Sequence, residues 1–152
     1  MARLYLVNRP GSLMNALYLI DEAVGKGCPN RTDDVALVQF FLRAIMEDAK
    51  IYTLPPSGKL SIDGIYGPQT QEHITSWQQQ EGKLADQPLK PFEDGQISPV
   101  LHRAFTGSRS HSRYAILSFN VIYAGVNGAD KHAKLGSDQR CPTALLPSIF
   151  WP

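Results

Sequence analysis

Between Thr32 and Lys50 the apolar residues Val35, Val38, Leu42 and Ile45 recur at spacings of three and four, which predicts a helix with one inward face. Thr32 stands where its N-cap belongs, and Asp33 and Asp34 are placed favourably against the N-terminal dipole. Upstream, Ser12 is positioned to cap a second helix over Leu13 to Val24, where Leu13, Leu17, Ile20 and Val24 fall at helical spacing and Gly25 and Gly27 end it. Ala2 to Val7 reads as a short strand with apolar residues on both faces. Behind Pro68, Ile74 and Trp77 lie on one helical face; behind Pro99, Leu101 and Phe105 do the same. Tyr114 to Val126 is apolar on nearly every side, so it is buried on more than one face. Its length favours a helix, although Ile116, Phe119, Val121, Ile122 and Tyr123 are equally strand formers.

The Pro- and Gly-containing stretches Ile51 to Lys59 and Gly82 to Glu93 read as linkers, and the polar run after Phe105 as a junction. Gly125 to Gly136 is loop-like, and the end, with Pro142, Pro147 and Pro152, is expected to lie extended on the surface.

One motif occurs twice. Asp63, Gly64, Tyr66, Gly67 and Pro68 answer to Asp94, Gly95, Ile97, Ser98 and Pro99, thirty-one positions later. Asp-Gly favours a tight turn, because Asp hydrogen-bonds the backbone ahead of it and Gly accepts positive φ. An apolar residue then points inward, a small residue takes the N-cap, and Pro opens the helix where its missing N–H costs nothing. A second echo precedes each turn: Val35, Val38, Gln39 and Leu42 read V-x-x-V-Q-x-x-L, and Ile74, Trp77 and Gln78 repeat the first part with an offset of thirty-nine. The chain therefore holds two copies of a helix-then-turn unit, followed by a last helix, with the first linker about eight residues longer.

Taken together, V-x-x-V-Q-x-x-L, D-G-I-Y-G-P-x-T, I-x-x-W-Q and D-G-x-I-x-P resemble the peptidoglycan-binding-like domain, a small three-helix module found attached to wall hydrolases. The resemblance covers about residues 32–105 and departs from the pattern at Lys50 to Leu60, at Gly82 to Glu93 and at His73. It implies an all-α fold, a small orthogonal three-helix bundle, with residues 1–31 as a helical N-terminal extension and 106–152 as a C-terminal one. The two apolar flanks, 13–24 and 114–126, then pack on the bundle, on each other, or on a partner. The function implied is non-catalytic binding of peptidoglycan, through its stem peptide or its glycan. A wall ligand presents amides, hydroxyls and carboxylates, so its site needs fixed polar groups beside an aromatic surface. Asp63, Tyr66, Gln69, Thr70, His73 and Trp77 are the candidates, with Gly64, Gly67, Pro68, Asp94 and Gly95 shaping the turns. Trp77 reads more readily as a core residue, and Thr70 also as a helix cap. The alternative is a bundle that binds protein, as an adaptor, immunity or assembly factor for a wall-active enzyme.

Composition narrows the picture. The 152 residues carry a formal net charge of +1 and 19% charged residues, so no global field draws the chain to nucleic acid or acidic lipid. Recognition rests on shape and hydrogen bonds. Arg103, Arg109 and Arg113 with His102 and His111 make a modest basic cluster that could meet wall carboxylates. His111, Asp130, His132 and Cys141 lack compact metal spacing, so no metal or cofactor is expected. Neither Cys28 nor Cys141 carries a nucleophile signature; free thiols are the plainer reading, a disulfide between them the other. An enzyme is not expected. The N-terminal apolar run is broken by Asn8, Arg9, Pro10 and Gly11 and lacks a signal-peptide cleavage pattern, while Tyr114 to Val126 is too short to span a bilayer. Action at the wall or in the periplasm would then depend on lysis, a contact-dependent secretion machine, or a partner that carries the export signal.

Overall fold

A computed structural model of the chain describes residues 2–6, 16–84, 93–100 and 114–149. Two strands, β1 (Arg3–Leu6) and β2 (Ala16–Leu19), pair antiparallel with Arg3 opposite Leu19. A short β3 (Val24–Gly25) precedes α1 (Thr32–Asp48) and α2 (Pro68–Leu84); β4 (Gln96–Ile97) returns to pair antiparallel with β3. Then come α3 (Ala115–Asn127), α4 (Ala129–Ala133), two 3-10 turns at Leu135–Ser137 and Thr143–Leu145, and α5 (Leu146–Ile149). About 53% of the described residues are helical, with two small antiparallel sheets beside five helices, so the fold is mostly helical rather than all-α.

α1 is the centre. Its residues from Asp34 through Leu42 are all buried, because neighbours cover it on every side, where one inward face was expected. Trp77 of α2 meets Phe119 of α3 edge-on with centroids 4.6 Å apart, and Phe41 of α1 lies 6.0 Å from Phe119 and from Tyr123. One hydrophobic cluster runs from Ala2 to Ile149 and includes Ile97 of β4. α3 is the helix its length favoured; Ala115 to Asn120, six consecutive buried residues, are covered on more than one face as expected, while Val121 and Val126 in its second half are exposed.

Several expectations are overturned. The helix over 13–24 is instead β2 and β3, with 13–15 outside the described residues. All four residues of β2 are buried, so burial there follows a continuous apolar strand and the 3.6-residue spacing is coincidental. Thr32 is the first helical residue rather than the cap; Arg31 takes the N-cap without a side-chain bond. Asp34 turns away from its own helix end to accept the N–H groups of Asp21 and Glu22 at 3.2 and 3.1 Å, and Asp33 accepts that of Ala2 at 3.2 Å. Gly125 to Gly136 contains α4, and the tail is folded inward, with Leu145 and Ile149 buried. α2 continues through Gly82 to Leu84. The helix expected behind Pro99 and the basic cluster lie outside the described residues. The apolar flanks are internal: residues 16–20 and the buried face of α3 both belong to the core.

Candidate ligand-binding site

The two Asp-Gly turns share one construction. Gly64 and Gly95 adopt φ of +71° and +72°, as the turn chemistry requires. In the first, Asp63 Oδ1 accepts the Ile65 N–H at 2.9 Å; in the second, Asp94 Oδ1 accepts the Gln96 N–H at 3.0 Å. A buried helix glutamine then grips each turn from behind. Gln39 Oε1 accepts the N–H groups of Asp63 and Gly64 at 3.1 and 2.8 Å, while Nε2 donates to Asp63 Oδ1 and the Ile65 carbonyl at 3.0 and 3.1 Å. Gln78 Oε1 accepts the Gly95 N–H at 2.9 Å, and its Nε2 donates to Asp94 Oδ1 and the Gln96 carbonyl at 3.2 and 2.9 Å. These are the two glutamines related by the offset of thirty-nine, so sequence repeat and structural repeat coincide. Their role as clamps was not legible from spacing alone, because the bond crosses 24 residues in the first copy and 17 in the second.

The turns approach each other through Gln71. Its Nε2 donates to the Gly95 carbonyl at 3.0 Å and to Thr75 Oγ1 at 3.1 Å; its Oε1 accepts the Lys26 N–H at 3.2 Å and the Tyr66 hydroxyl. Lys26, Tyr66, Gln71 and Gly95 thus form one surface saddle, half-exposed at Tyr66, with Asp63 and Asp94 exposed at its ends. Ile65, 69% exposed at the tip of the first turn, adds an apolar contact that the motif left unspecified. Burial, and then the Asp94 carboxylate, push the neighbouring Cys28 thiol up, which keeps it protonated at neutral pH, the reverse of what a nucleophile needs.

The six nominated side chains do not share one surface. Asp63 and Tyr66 lie on the saddle. Thr70 is buried and accepts Gln39 Nε2 at 3.0 Å, so it completes the first clamp instead of capping the helix. Trp77 is enclosed in the core, as its second reading had it. His73 is also enclosed, with Nε2 bonded to the Gly58 carbonyl at 2.8 Å; burial lowers its pKa, and its Nδ1 has no partner. Gln69 is half-buried and engaged with the backbone of residues 57–61. Gly67 and Pro68 open α2 as expected, with the Gly67 carbonyl accepting the Gln71 N–H at 3.0 Å.

Of the remaining chemical candidates, His111 lies outside the described residues and Asp130 is exposed. His132 is buried against Tyr18 and donates Nε2–H to Asn120 Oδ1 at 2.9 Å. Cys28 and Cys141 are unpaired. Among the described residues, no group of three or more His, Cys, Asp or Glu is placed to hold a metal ion, and no helix is long and apolar enough to cross a membrane. Compared with family models, curated proteins and solved structures, the chain matches none.

Proposed function

We propose that this chain is a non-catalytic module that binds peptidoglycan through the saddle between its two glutamine-held turns, with Asp63, Ile65 and Tyr66 as contacts. The observation that supports this reading is the duplicated clamp, because it makes the repeated motif on which the resemblance rests a pair of repeated built elements within this chain. Support for a non-catalytic role comes from the described histidines, His73 and His132, which both spend Nε2 on internal acceptors. An exposed Ile65 and a half-exposed Tyr66 in a turn with a fixed carboxylate suit a ligand that offers apolar sugar faces and amide or hydroxyl donors. The site of action would be the wall or periplasm.

Retention on purified sacculi at low salt tests the reading. The wild-type chain should be retained, and a variant with Tyr66→Ala and Ile65→Ser should lose roughly three- to tenfold in affinity, the scale of one aromatic contact. Retention no better than that of a control protein, on several wall types, would remove the proposal.

A second reading, as a protein-binding adaptor, draws on a different feature. A hollow of about 490 Å³ lies between the β1–β2 hairpin and the tail, lined by Leu4, Leu6, Ala16, Tyr18, Leu135 and Ile149. Leu6 is 56% exposed at its edge. Stable co-purification with a partner, lost on Leu6→Asp and indifferent to wall fragments, would favour this reading.

A further inference from the structure

The register of the β1–β2 hairpin sets Leu4 opposite Tyr18 and Leu6 opposite Ala16, so these four side chains share one face of the pair. That face is the floor of the hollow beneath the tail. The turn after α4, from Ala133 to Ser137, and Ile149 of α5 are its walls. Leu6, Ala133 and Lys134 are exposed, which marks the side on which the hollow meets water. Its volume of about 490 Å³ falls within the ~300–1,000 Å³ range of small-molecule sites.

The lining fixes the chemistry of what can enter. Of its side chains only those of Tyr18, Ser137 and Lys134 carry polar atoms. The Tyr18 hydroxyl donates to the Ala133 carbonyl at 3.0 Å and accepts the Leu135 N–H at 3.3 Å, while Ser137 Oγ donates to the Lys134 carbonyl at 2.7 Å. Both hydroxyls are thus spent within the fold. The Lys134 ammonium, by contrast, has no carboxylate partner among the described residues. A peptide drawn onto these side chains would leave its amides short of partners, a costly state for buried polar groups. An alkyl chain has no such groups, and every methylene it removes from water tightens binding. A negative charge at the end of that chain matches Lys134, and a positive one opposes it.

We propose that the hollow binds one medium-chain fatty acid, its alkyl chain against Leu4, Leu6, Ala16, Leu135 and Ile149 and its carboxylate on Lys134. The site uses no residue of the saddle and no partner protein, so it depends on neither reading above. A net charge of +1 gives no attraction to an anionic bilayer, so the ligand is the free acid and not a membrane surface. Isothermal titration calorimetry of the full-length chain with octanoate, decanoate and decanol, each below its aggregation concentration, tests it. Decanoate should bind saturably at one site and roughly tenfold more tightly than octanoate, the gain expected from two further buried methylenes. Lys134→Glu, at an exposed position, should weaken decanoate about three- to tenfold and leave decanol unchanged. Ala133→Trp, also at an exposed lining position, should fill the hollow and abolish binding of both. Absence of saturable binding, equal affinity for octanoate and decanoate, or an Ala133→Trp variant that titrates like the wild type overturns the proposal. So does retention on anionic phospholipid vesicles by a chain that ignores free decanoate. If the tryptophan disturbs folding, the chain-length comparison and Lys134→Glu decide by themselves: a charge reversal that leaves decanoate binding intact refutes the site.

Discussion

At the scale of single residues, side-chain amides take the place of sheet ladders, which are few among the described residues. Asn30 pairs with the N–H and carbonyl of Gly25, each at 2.8 Å, as Gln80 does with Thr53 and Asn120 with Tyr18. Buried backbone groups need partners, and in irregular segments a carboxamide can serve one donor and one acceptor at once. Gln39→Ala therefore leaves the N–H groups of Asp63 and Gly64 without acceptors, and urea denaturation should show a loss of about 3 kcal/mol. Gln78→Ala should cost less than half as much, because its turn is open to water that can substitute. Two glycines separate strain from crowding. Gly58 and Gly64 have φ of +76° and +71°, but a Cβ at Gly58 meets open space while one at Gly64 would sit 2.9 Å from the Thr32 carbonyl oxygen. Gly58→Ala should cost about 1 kcal/mol from conformation alone, and Gly64→Ala at least twice that. Equal costs would show that the Thr32 contact yields freely.

At the scale of elements, what the sequence made legible divides along lines of periodicity. α1 and α2 were readable because Val35, Val38, Leu42 and Ile45, and then Ile74 and Trp77, keep a helical period long enough to exclude a strand. The Asp-Gly turns were readable because their chemistry is local. Ala16 to Ile20 was misread because five consecutive buried residues carry no period at all, and the deciding partner is remote: Asn120 on α3 accepts the Tyr18 N–H and donates to its carbonyl, both at 2.9 Å, across 102 residues. The glutamines of α2 were read as helix formers, and their grip on turn and linker could not be seen without the fold. The site was legible in part for the same reason. Asp63 and Tyr66 sit in the local motif, whereas the burial of His73 and Thr70 depends on α1 and the 51–61 segment. Asn120→Ala tests the remote contact. It should lower stability by about 2–4 kcal/mol, through lost partners for two buried backbone groups, and amides 16–19 should lose exchange protection before those of α1. Loss of protection in both together would mean that Asn120 does not hold the hairpin independently.

At the scale of the whole molecule, the N-terminal hairpin, the central helix and the tail are joined by polar nodes that respond to pH. Arg140 binds Asp138 at 2.8 Å, Asp48 at 2.7 Å and Glu47 at 3.2 Å, which ties the tail to the end of α1. Burial alone would push these three carboxyls up, but hydrogen bonds from Arg140, and at Glu47 first from Arg43, outweigh it, most of all at Asp138, and hold them below their ordinary values. Stability from depressed carboxylates is present above about pH 4 and is lost as pH falls through their folded pKa values. His132 acts in a higher window. Enclosed between Tyr18 and Tyr123, with Nδ1 facing no partner, it is lowered by burial from its ordinary 6.5 to about 4. The unfolded chain therefore takes up a proton at a pH where the native one does not. The His132 contribution is complete above pH 6.5 and is withdrawn between there and pH 4, a loss of roughly 3 kcal/mol at up to about 1.4 kcal/mol per pH unit. Urea denaturation from pH 7.5 to 4.5 should show this decline before the carboxylates titrate. His132→Phe fills the same aromatic site without a titrating group and leaves Asn120 bonded to Tyr18, so it should flatten most of the slope. The remainder belongs to His73, whose pKa burial lowers in the same direction, and a profile as steep in the variant as in the wild type would place the acid sensitivity elsewhere.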